Sequence, residues 1–436
     1  MNMRKMKMVT LVLLCVLTAG LCGIFAYGMS GRGIYIGDQS YESYGADPKL
    51  VFEKEVPLDG IDTILVQYDM NNNDIYLYEG EKDVLTIREY NELDLKEGDL
   101  STVTVTDNKV EVRGKRRNGK EFQVKLGRFG FRSVIGYTEV ILPASYKGQL
   151  SLLTASGDIK RETAVVLDRG FRAETSSGDI MIPEITAENV SLKCVSGDIQ
   201  VTSVKAGSSD LAGKISIATS SGDIDVDQLT GEMDIESTSG EITLKNLAGG
   251  TKIKSSSGGI ESEVITGNTW LETTSGDVTV QRIDGDVRAE SSSGNIRILA
   301  GGGARTVGTT SGEIRLEDTA GAWEARSSSG DVSIRAQEGS GSITTTSGDI
   351  DLELGKLTGS LDIDSSSGWA KIRISADNAF DFRADTSSGD IGTFFDDDLN
   401  FSRKGDSARG TYGDNKAGSS IVVRTTSGDV QVTEKR

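Results

Sequence analysis

A short motif returns at a fixed spacing of 18 residues, and this repeat limits the fold more than any other feature of the chain. Ser/Thr-Ser-Gly, followed by Asp, Glu, Gly or Asn, places eight glycines in one register: Gly222, Gly240, Gly258, Gly276, Gly294, Gly312, Gly330 and Gly348. Copies with looser spacing contain Gly157, Gly178, Gly197, Gly368, Gly389 and Gly428. So long a constant period is typical of a protein built from stacked repeats.

Each repeat has the pattern of two short β-strands joined by turns. Counted from the motif glycine, apolar residues favour offsets +2, +4, +7, +11 and +13, and a second glycine lies at +9. In the repeat at Gly276 these residues are Val278, Val280, Ile283, Gly285, Val287 and Ala289. Alternation by two indicates strands, and the glycine between them indicates a turn.

One repeat of this size cannot bury enough apolar surface to fold alone, so neighbouring repeats must share a core and ladder hydrogen bonds. We therefore predict an all-β fold, a β-solenoid similar to a right-handed β-helix or β-roll with 18-residue repeats. A β-propeller is the alternative, but its blades need about 40–45 residues. Repeats also alternate between Ser-Ser-Ser-Gly and Thr-Thr-Ser-Gly, so one coil could hold 18 or 36 residues.

The two flanks of the repeat region differ from it in pattern. Residues 51–150 alternate like strands but outside the register, and we predict a leading β domain or solenoid cap there. Residues 151–390 are predicted to form the repeat β-solenoid, and residues 391–436 a C-terminal cap and the last repeat. Caps are expected because an open terminal coil would pair with other chains.

The N-terminus predicts the compartment. Arg4, Lys5 and Lys7 precede an apolar run over residues 9–27. A basic flank and an apolar run indicate a membrane anchor or signal peptide over residues 1–28, followed by a spacer over residues 29–50. The length of the run favours a retained membrane helix, with the body outside the cytoplasm or secreted after cleavage.

Composition excludes several classes of chemistry. There is no histidine, which removes Ser-His-Asp and Cys-His catalysis and His-ligated zinc. A net charge of −19 argues against nucleic acid as a partner. Cys194 is the one cysteine beyond Cys15 and Cys22 of the N-terminal run, so no disulfide framework exists in the body. We predict no catalytic residue, no cofactor and no metal ligand.

An acidic residue follows most motif glycines, as at Asp223, Asp277 and Asp331. A calcium ladder would need denser acidic motifs, and Gly259 and Asn295 interrupt this column. We interpret the aspartates as turn residues that bond to their own backbone. The three tryptophans, Trp270, Trp323 and Trp369, have different offsets and are predicted to pack locally.

One segment reverses the acidic balance of the chain. Its basic residues are Arg113, Lys115, Arg116, Arg117, Lys120, Lys125, Arg128 and Arg132, against the single acid Glu121. Phenylalanines interleave with them. This segment is a candidate for docking on anionic lipid headgroups or teichoic-acid phosphates, and a solvated hairpin loop is the alternative.

The stretch VILPASYKGQLSLLTASGDI, followed by serial SSGDI and TSGDV repeats, resembles the adhesin domain family of bacterial envelope proteins over residues 60–436. Members are common in Gram-positive organisms, mostly uncharacterised, and in part connected with envelope stress. The resemblance implies an extracytoplasmic β-repeat domain and carries no catalytic or ligand residues to this chain. Together with the N-terminal segment, it leads us to predict a membrane-tethered scaffold or binding protein, with an envelope polymer or protein as ligand. An enzyme acting on cell-wall or extracellular polysaccharide is the alternative.

Overall fold

The computed structural model describes residues 48–68, 73–93, 95–115, 122–124, 131–133, 136–207 and 212–435. The predicted membrane segment, residues 1–28, and nearly all of the predicted spacer lie outside these ranges. Within them, no helix is long and apolar enough to cross a membrane. The regular structure described is β-strand apart from the two 3-10 turns Glu97–Asp99 and Asp396–Asp398, so the predicted all-β class is confirmed.

The chain divides into two compact units, Met1–Pro183 and Glu184–Arg436. The strands of unit 1 are β1 Lys49–Pro57, β2 Thr63–Tyr68, β3 Asn73–Gly80, β4 Val84–Asn91, β5 Thr102–Thr106, β6 Lys109–Arg113, β7 Phe122–Val124, β8 Phe131–Ser133, β9 Gly136–Pro143, β10 Gln149–Thr154, β11 Ile159–Lys160, β12 Val165–Val166, β13 Gly170–Thr175 and β14 Ile180–Met181.

Unit 1 stacks its strands in two rows. In one row β6, β2, β10 and β13 are parallel, and β5 adds an antiparallel strand next to β6. In the other, β9, β3, β11 and β14 are parallel, and β4 and β1 add antiparallel strands beyond β9. The coil made by β2 and β3 therefore lies between coils that follow it in sequence. Residues 51–150 stack directly on the first motif repeats although they lack the 18-residue register.

Twenty-five strands lie in the described part of unit 2, residues 184–207 and 212–435. They are β15 Glu184–Ala187, β16 Asn189–Lys193, β17 Ile199–Ala206, β18 Lys214–Thr219, β19 Ile224–Thr230, β20 Glu232–Ser237, β21 Ile242–Ala248, β22 Thr251–Ser255, β23 Ile260–Thr266, β24 Thr269–Thr273, β25 Val278–Asp284, β26 Val287–Ser291, β27 Ile296–Ile298, β28 Gly301–Gly302, β29 Arg305–Thr309, β30 Ile314–Ser327, β31 Val332–Thr345, β32 Ile350–Ser367, β33 Ala370–Ile374, β34 Phe380–Thr386, β35 Ile391–Thr393, β36 Leu399–Phe401, β37 Ser407–Tyr412, β38 Ser420–Ser427 and β39 Val430–Glu434.

Parallel pairing in unit 2 follows the sequence repeat. Ile224 pairs with Ile242, Ile242 with Ile260, and Ile260 with Val278, each 18 residues further on. One coil therefore holds 18 residues and two strands, which settles the choice between 18 and 36. The pairing confirms a solenoid-like stack and excludes propeller blades. The right-handed sense remains a prediction.

The strand alternation directs apolar side chains into the stack. Ile224, Ile235, Ile242, Ile253 and Ile260 are at most 1% exposed, as the offsets +2 and +13 predict. Two columns of glycine let the coils approach at the turns. A Cβ on Gly240 would lie 1.7 Å from the carbonyl oxygen of Gly222 in the preceding coil. At the second turn Gly249 has φ +132°, a left-handed conformation that favours glycine.

The repeat at Gly428 is not at the position that its place in the sequence suggests. Its first strand, β38, pairs in parallel with β32 on one side and β34 on the other. Its second strand, β39, lies in the same way between β33 and β35. Residues 420–434 are thus inserted between two coils that precede them. The antiparallel strands β37 and β36 then extend the row beyond β34.

Candidate functional site

The acidic side chain after the motif glycine bonds to the next coil and not to its own backbone. Asp223 Oδ1 accepts a 2.8 Å hydrogen bond from the backbone N–H of Glu241. Asp331 does the same for Asp349, and Asn295 for Glu313. The interpretation of these residues as turn formers bonded to their own backbone was therefore wrong. They link successive coils along one corner of unit 2.

The chemistry of this column requires a short side chain. Asp and Asn accept from the following coil, whereas neither Glu241 nor Glu313 does so among the described residues. Asn295 replaces an aspartate without loss of the bond, so the link needs a carbonyl-type oxygen at the right distance and not a charge. Across the described ranges no group of three or more acidic or cysteine side chains could hold a metal ion.

The hydroxyl three residues before the motif glycine is also used by the fold. Thr309 accepts from the N–H of Gly312 at 3.1 Å and donates to the carbonyl of Gly294 in the preceding coil at 3.2 Å. Thr309 is 8% exposed and Thr345 2%. Cys194, three residues before Gly197, takes the same buried position. Hydroxyls such as that of Thr309 thus stabilise the turns from a buried position.

A groove of about 470 Å³ along one corner of unit 2 is lined in part by polar groups that face solvent. We call it the corner groove. It crosses five successive coils, and its lining residues include Lys193, Ala218, Ser220, Glu236, Thr238, Lys254, Ser256, Glu272 and Thr274. Hydroxyls stand two residues before successive motif glycines. Beside these hydroxyls runs a column of residues that lie four positions before successive motif glycines. Its members are Lys193, Ala218, Glu236, Lys254 and Glu272, so the charged ones alternate in sign.

The column of charges is balanced. Lys254 Nζ lies 2.6 Å from Glu272 Oε2, and this hydrogen bond raises the pKa of the Lys254 ammonium. Lys193 and Glu236 are exposed in the same column. Two cations and two anions along one wall attract neither a polyanion nor a polycation. They offer alternating donors and acceptors, which suits a neutral ligand rich in hydroxyl groups.

An exposed tryptophan stands next to this groove. Trp270 is in β24, is 39% exposed, and lies one coil after Lys252 and one coil before Arg288. Lys254 Nζ is 4.9 Å from the centre of its ring and the Arg288 guanidinium carbon is 5.9 Å away. Cations at these distances are held by the π-face of the indole. Arg288 also bonds to Glu290, at 2.7 Å.

The three tryptophans do not share one environment. Trp323 is 3% exposed, as local packing predicts, whereas Trp270 and Trp369 are exposed at 39% and 42%. Local packing is confirmed for Trp323, while Trp270 packs on Lys254 and Arg288 and keeps an exposed face. The signal was present in the sequence, because Trp323 has the core offset +11 and Trp270 the outward offset +12. Trp369 directly follows a motif glycine at a corner.

Most of the predicted basic docking segment lies outside the described residues, namely Arg116, Arg117, Lys120, Lys125 and Arg128. Arg113 ends β6 and forms an ion pair with Glu111. Lys115 lies two residues after Arg113. Arg132 belongs to β8, which pairs antiparallel with β7 in a separate two-stranded sheet. Docking on an anionic surface through this segment stays a prediction.

The sequence matches one family model twice, over residues 63–265 and 252–433, and that family is described as Toastrack DUF4097. The chain belongs to the Toastrack DUF4097 family. The two Toastrack matches span both the non-register coils of unit 1 and the repeats of unit 2, and they confirm the expected kinship with a β-repeat family. No protein with a curated description matches the chain.

Solved structures similar to this Toastrack chain share little sequence with it. A candidate cell adhesion protein from Clostridium sporogenes is 10% identical, with 89% of this chain and 100% of that chain covered and a TM-score of 0.16. A candidate adhesin from Parabacteroides distasonis is 12% identical, with 89% of this chain and 98% of that chain covered and a TM-score of 0.20. A candidate lipid-binding protein from Parabacteroides distasonis is 12% identical, with 90% of this chain and 98% of that chain covered and a TM-score of 0.18.

Proposed function

We propose that this protein is a membrane-tethered, extracytoplasmic scaffold of the cell envelope that binds an extended glycan in the corner groove of unit 2. One observation carries the proposal. The aspartates and most of the buried hydroxyls are held by bonds within and between coils, whereas the hydroxyls two residues before the motif glycines and the charged column beside them line this one groove. It runs across the coils, which gives it the linear form that a polymer strand needs.

The chemistry of the groove favours a sugar chain over other polymers. Each sugar hydroxyl both donates and accepts, and so matches the alternation of Lys254 and Glu272 and the hydroxyls of Thr238 and Ser256. The indole of Trp270 adds an apolar edge at the rim, where the C–H face of a sugar ring packs. Contacts of this kind are individually weak. Their repetition over several coils raises the affinity through effective concentration.

Tethering and placement outside the cytoplasm rest on the sequence of residues 1–28. The resemblance to adhesin-type envelope proteins supports a scaffold or binding role, and it extends the proposal to a connection with envelope stress. Binding is proposed rather than catalysis because the groove presents similar residues in successive coils, so that its contacts repeat along the stack. Turnover of a polysaccharide that one carboxylate substitution abolishes would instead establish the enzyme alternative.

The test is co-sedimentation of the full-length protein, purified in detergent, with insoluble peptidoglycan sacculi stripped of teichoic acid. We expect saturable binding that Trp270→Ala and Lys254→Ala weaken severalfold. Trp369→Ala is the matched control, because Trp369 is as exposed as Trp270 but lies outside the five coils that the groove crosses, whereas Trp270 contacts the lining residue Lys254. Equal loss in the Trp369 variant, or no binding by the parent protein, would contradict the proposal.

A further inference from the structure

The coil formed by residues 420–434 is held as an inner coil of unit 2, although its sequence position would place it at the end. Ile421 pairs with Leu361 on one side and with Phe382 on the other. Val430 likewise lies between Ala370 and Ile391. Both edges of both strands are therefore used. Without this coil, the stack would have a slot one coil wide.

The slot accepts a specific kind of segment. Ile421, Val423, Val430 and Val432 are at most 1% exposed, so the inserted segment must carry apolar residues at these four positions. At the corner, a Cβ on Gly428 would lie 2.0 Å from the carbonyl oxygen of Gly368. A segment without glycine at this position cannot enter.

The coil is joined to the preceding strand through one polar stretch, residues 413–419, which takes part in no strand pairing. Gly413 and Gly418 have φ +68° and +69°, and such glycines adopt other backbone conformations at little cost. Seven extended residues span about 23 Å. By contrast, the inserted coil of unit 1, β2 and β3, has strands that pair in the stack on both sides of it in sequence.

We propose that residues 420–434 exchange between two copies of this chain, each copy filling the slot of the other. The exchanged coil makes the same ladder hydrogen bonds, the same buried contacts and the same glycine packing as in the single copy. Only the path of residues 413–419 changes, which is the condition under which domain swapping is a low-cost route to a dimer. Attachment of many copies to one membrane would raise their effective concentration and favour the exchange.

Two serines provide a direct test in the full-length protein. Ser420 Oγ lies 3.1 Å from Ser360 Oγ across the slot, so cysteines at these positions are within disulfide reach. The experiment uses chains in which Cys15, Cys22 and Cys194 are replaced by serine. One chain carries Ser360→Cys and a differently tagged chain carries Ser420→Cys. The two are mixed at high concentration, oxidised and separated on a non-reducing gel.

We expect a disulfide-linked heterodimer whose yield rises with concentration. A mixture of Ser360→Cys with Gln431→Cys, an exposed position in β39 remote from Ser360, measures random collision. The double variant in one chain should close an internal disulfide and then form no swapped dimer. Internal closure in that chain, together with a mixture no better than the collision control, would overturn the proposal. Failure of the double variant to form a disulfide either within one chain or between two copies would show that residues 360 and 420 are not neighbours, and would also overturn it.

Discussion

Asp223 and Glu241 occupy the same place in successive coils, and a carboxylate oxygen of Asp223 accepts a 2.8 Å hydrogen bond from the N–H of Glu241. Glu241 is one methylene longer and makes no such bond to Gly259, the next residue in that column. The second turn repeats the device, because Asp286 accepts from the N–H of Ala304 at 2.9 Å. The side chains after the glycines thus act as short links between coils.

Glu241→Asn should therefore stabilise the protein. The shorter amide side chain brings its oxygen to the N–H of Gly259, as Asn295 does for Glu313. One added hydrogen bond of this kind contributes about 0.5–1.5 kcal/mol to the free energy of unfolding. Urea unfolding followed by circular dichroism measures the change. Glu241→Gln keeps the original length and is the control, and an equal gain in that variant would show that charge rather than length is responsible.

Two glycine-to-alanine substitutions distinguish a steric clash between coils from the general effect of replacing glycine in a β-strand. In Gly240→Ala the new Cβ lies 1.7 Å from a backbone oxygen of the adjacent coil, and we expect a loss of about 3 kcal/mol or more. Gly308 lies in strand β29, where a Cβ would be 4.0 Å from its nearest neighbour. Gly308→Ala should therefore be neutral or stabilising by up to about 1 kcal/mol. Thermal unfolding of both variants decides, and similar destabilisation of the two would contradict the stacked-glycine geometry.

The buried hydroxyl column makes a similar paired prediction. Thr309→Val keeps the shape of the side chain but leaves the N–H of Gly312 and the carbonyl of Gly294 without this partner, at a cost of about 1–3 kcal/mol. Ser255 is in the same column, but its hydroxyl has no hydrogen-bond partner within the described part of the chain. Ser255→Ala should thus change the unfolding free energy little. If Ser255→Ala is the more destabilising of the two, the assigned bonds are wrong.

The shifted pKa of the Asp74 carboxyl should make the stability of the protein depend on pH. Burial raises the pKa of the Asp74 carboxyl, although the bond from the N–H of Asp158 acts in the opposite direction. The folded state then holds this proton more tightly than the unfolded state. Stability falls as the pH rises from the unfolded value, about 3.9, through the folded one, and the loss is complete above it.

Asp74→Asn keeps the oxygen that accepts from Asp158 and removes the titration. Its melting temperature should exceed that of the parent at pH 7, and the advantage should shrink towards pH 3.5. Asp74→Ala also removes the charge but loses the hydrogen bond, so it should be less stable than Asp74→Asn at both pH values. An advantage of Asp74→Asn that is the same at the two pH values would refute the assignment.

The periodicity predicts the coils well because each offset has one fixed environment. It could not decide between 18 and 36 residues, since Ser291 and Thr309 alternate in sequence but make the same bond to the glycine N–H three residues later. Nor could it predict the insertion of residues 420–434. Coils 380–393 and 420–434 alternate in a similar way, so the periodicity alone does not tell which of them lies outermost.

The candidate site was only partly predictable. The position in the repeat distinguishes outward Trp270, at offset +12, from buried Trp323, at offset +11. The approach of Lys254 and Arg288 to the indole of Trp270, however, depends on how neighbouring coils are aligned. That alignment becomes visible once the parallel pairing is known. The exposed aspartates, which the sequence presents as the most conspicuous polar feature, turn out to be occupied by bonds between coils.

Tryptophan fluorescence of the full-length Trp369→Phe variant, titrated with soluble glycan-strand fragments of peptidoglycan, tests the central claim most directly. Its emission comes from Trp270 and the buried Trp323. We predict a saturable shift in emission that is absent when Trp270 is also replaced by phenylalanine, with weaker binding in Lys254→Ala. An unchanged emission spectrum at fragment concentrations that saturate co-sedimentation, or an undiminished affinity in Lys254→Ala, would contradict binding in the corner groove.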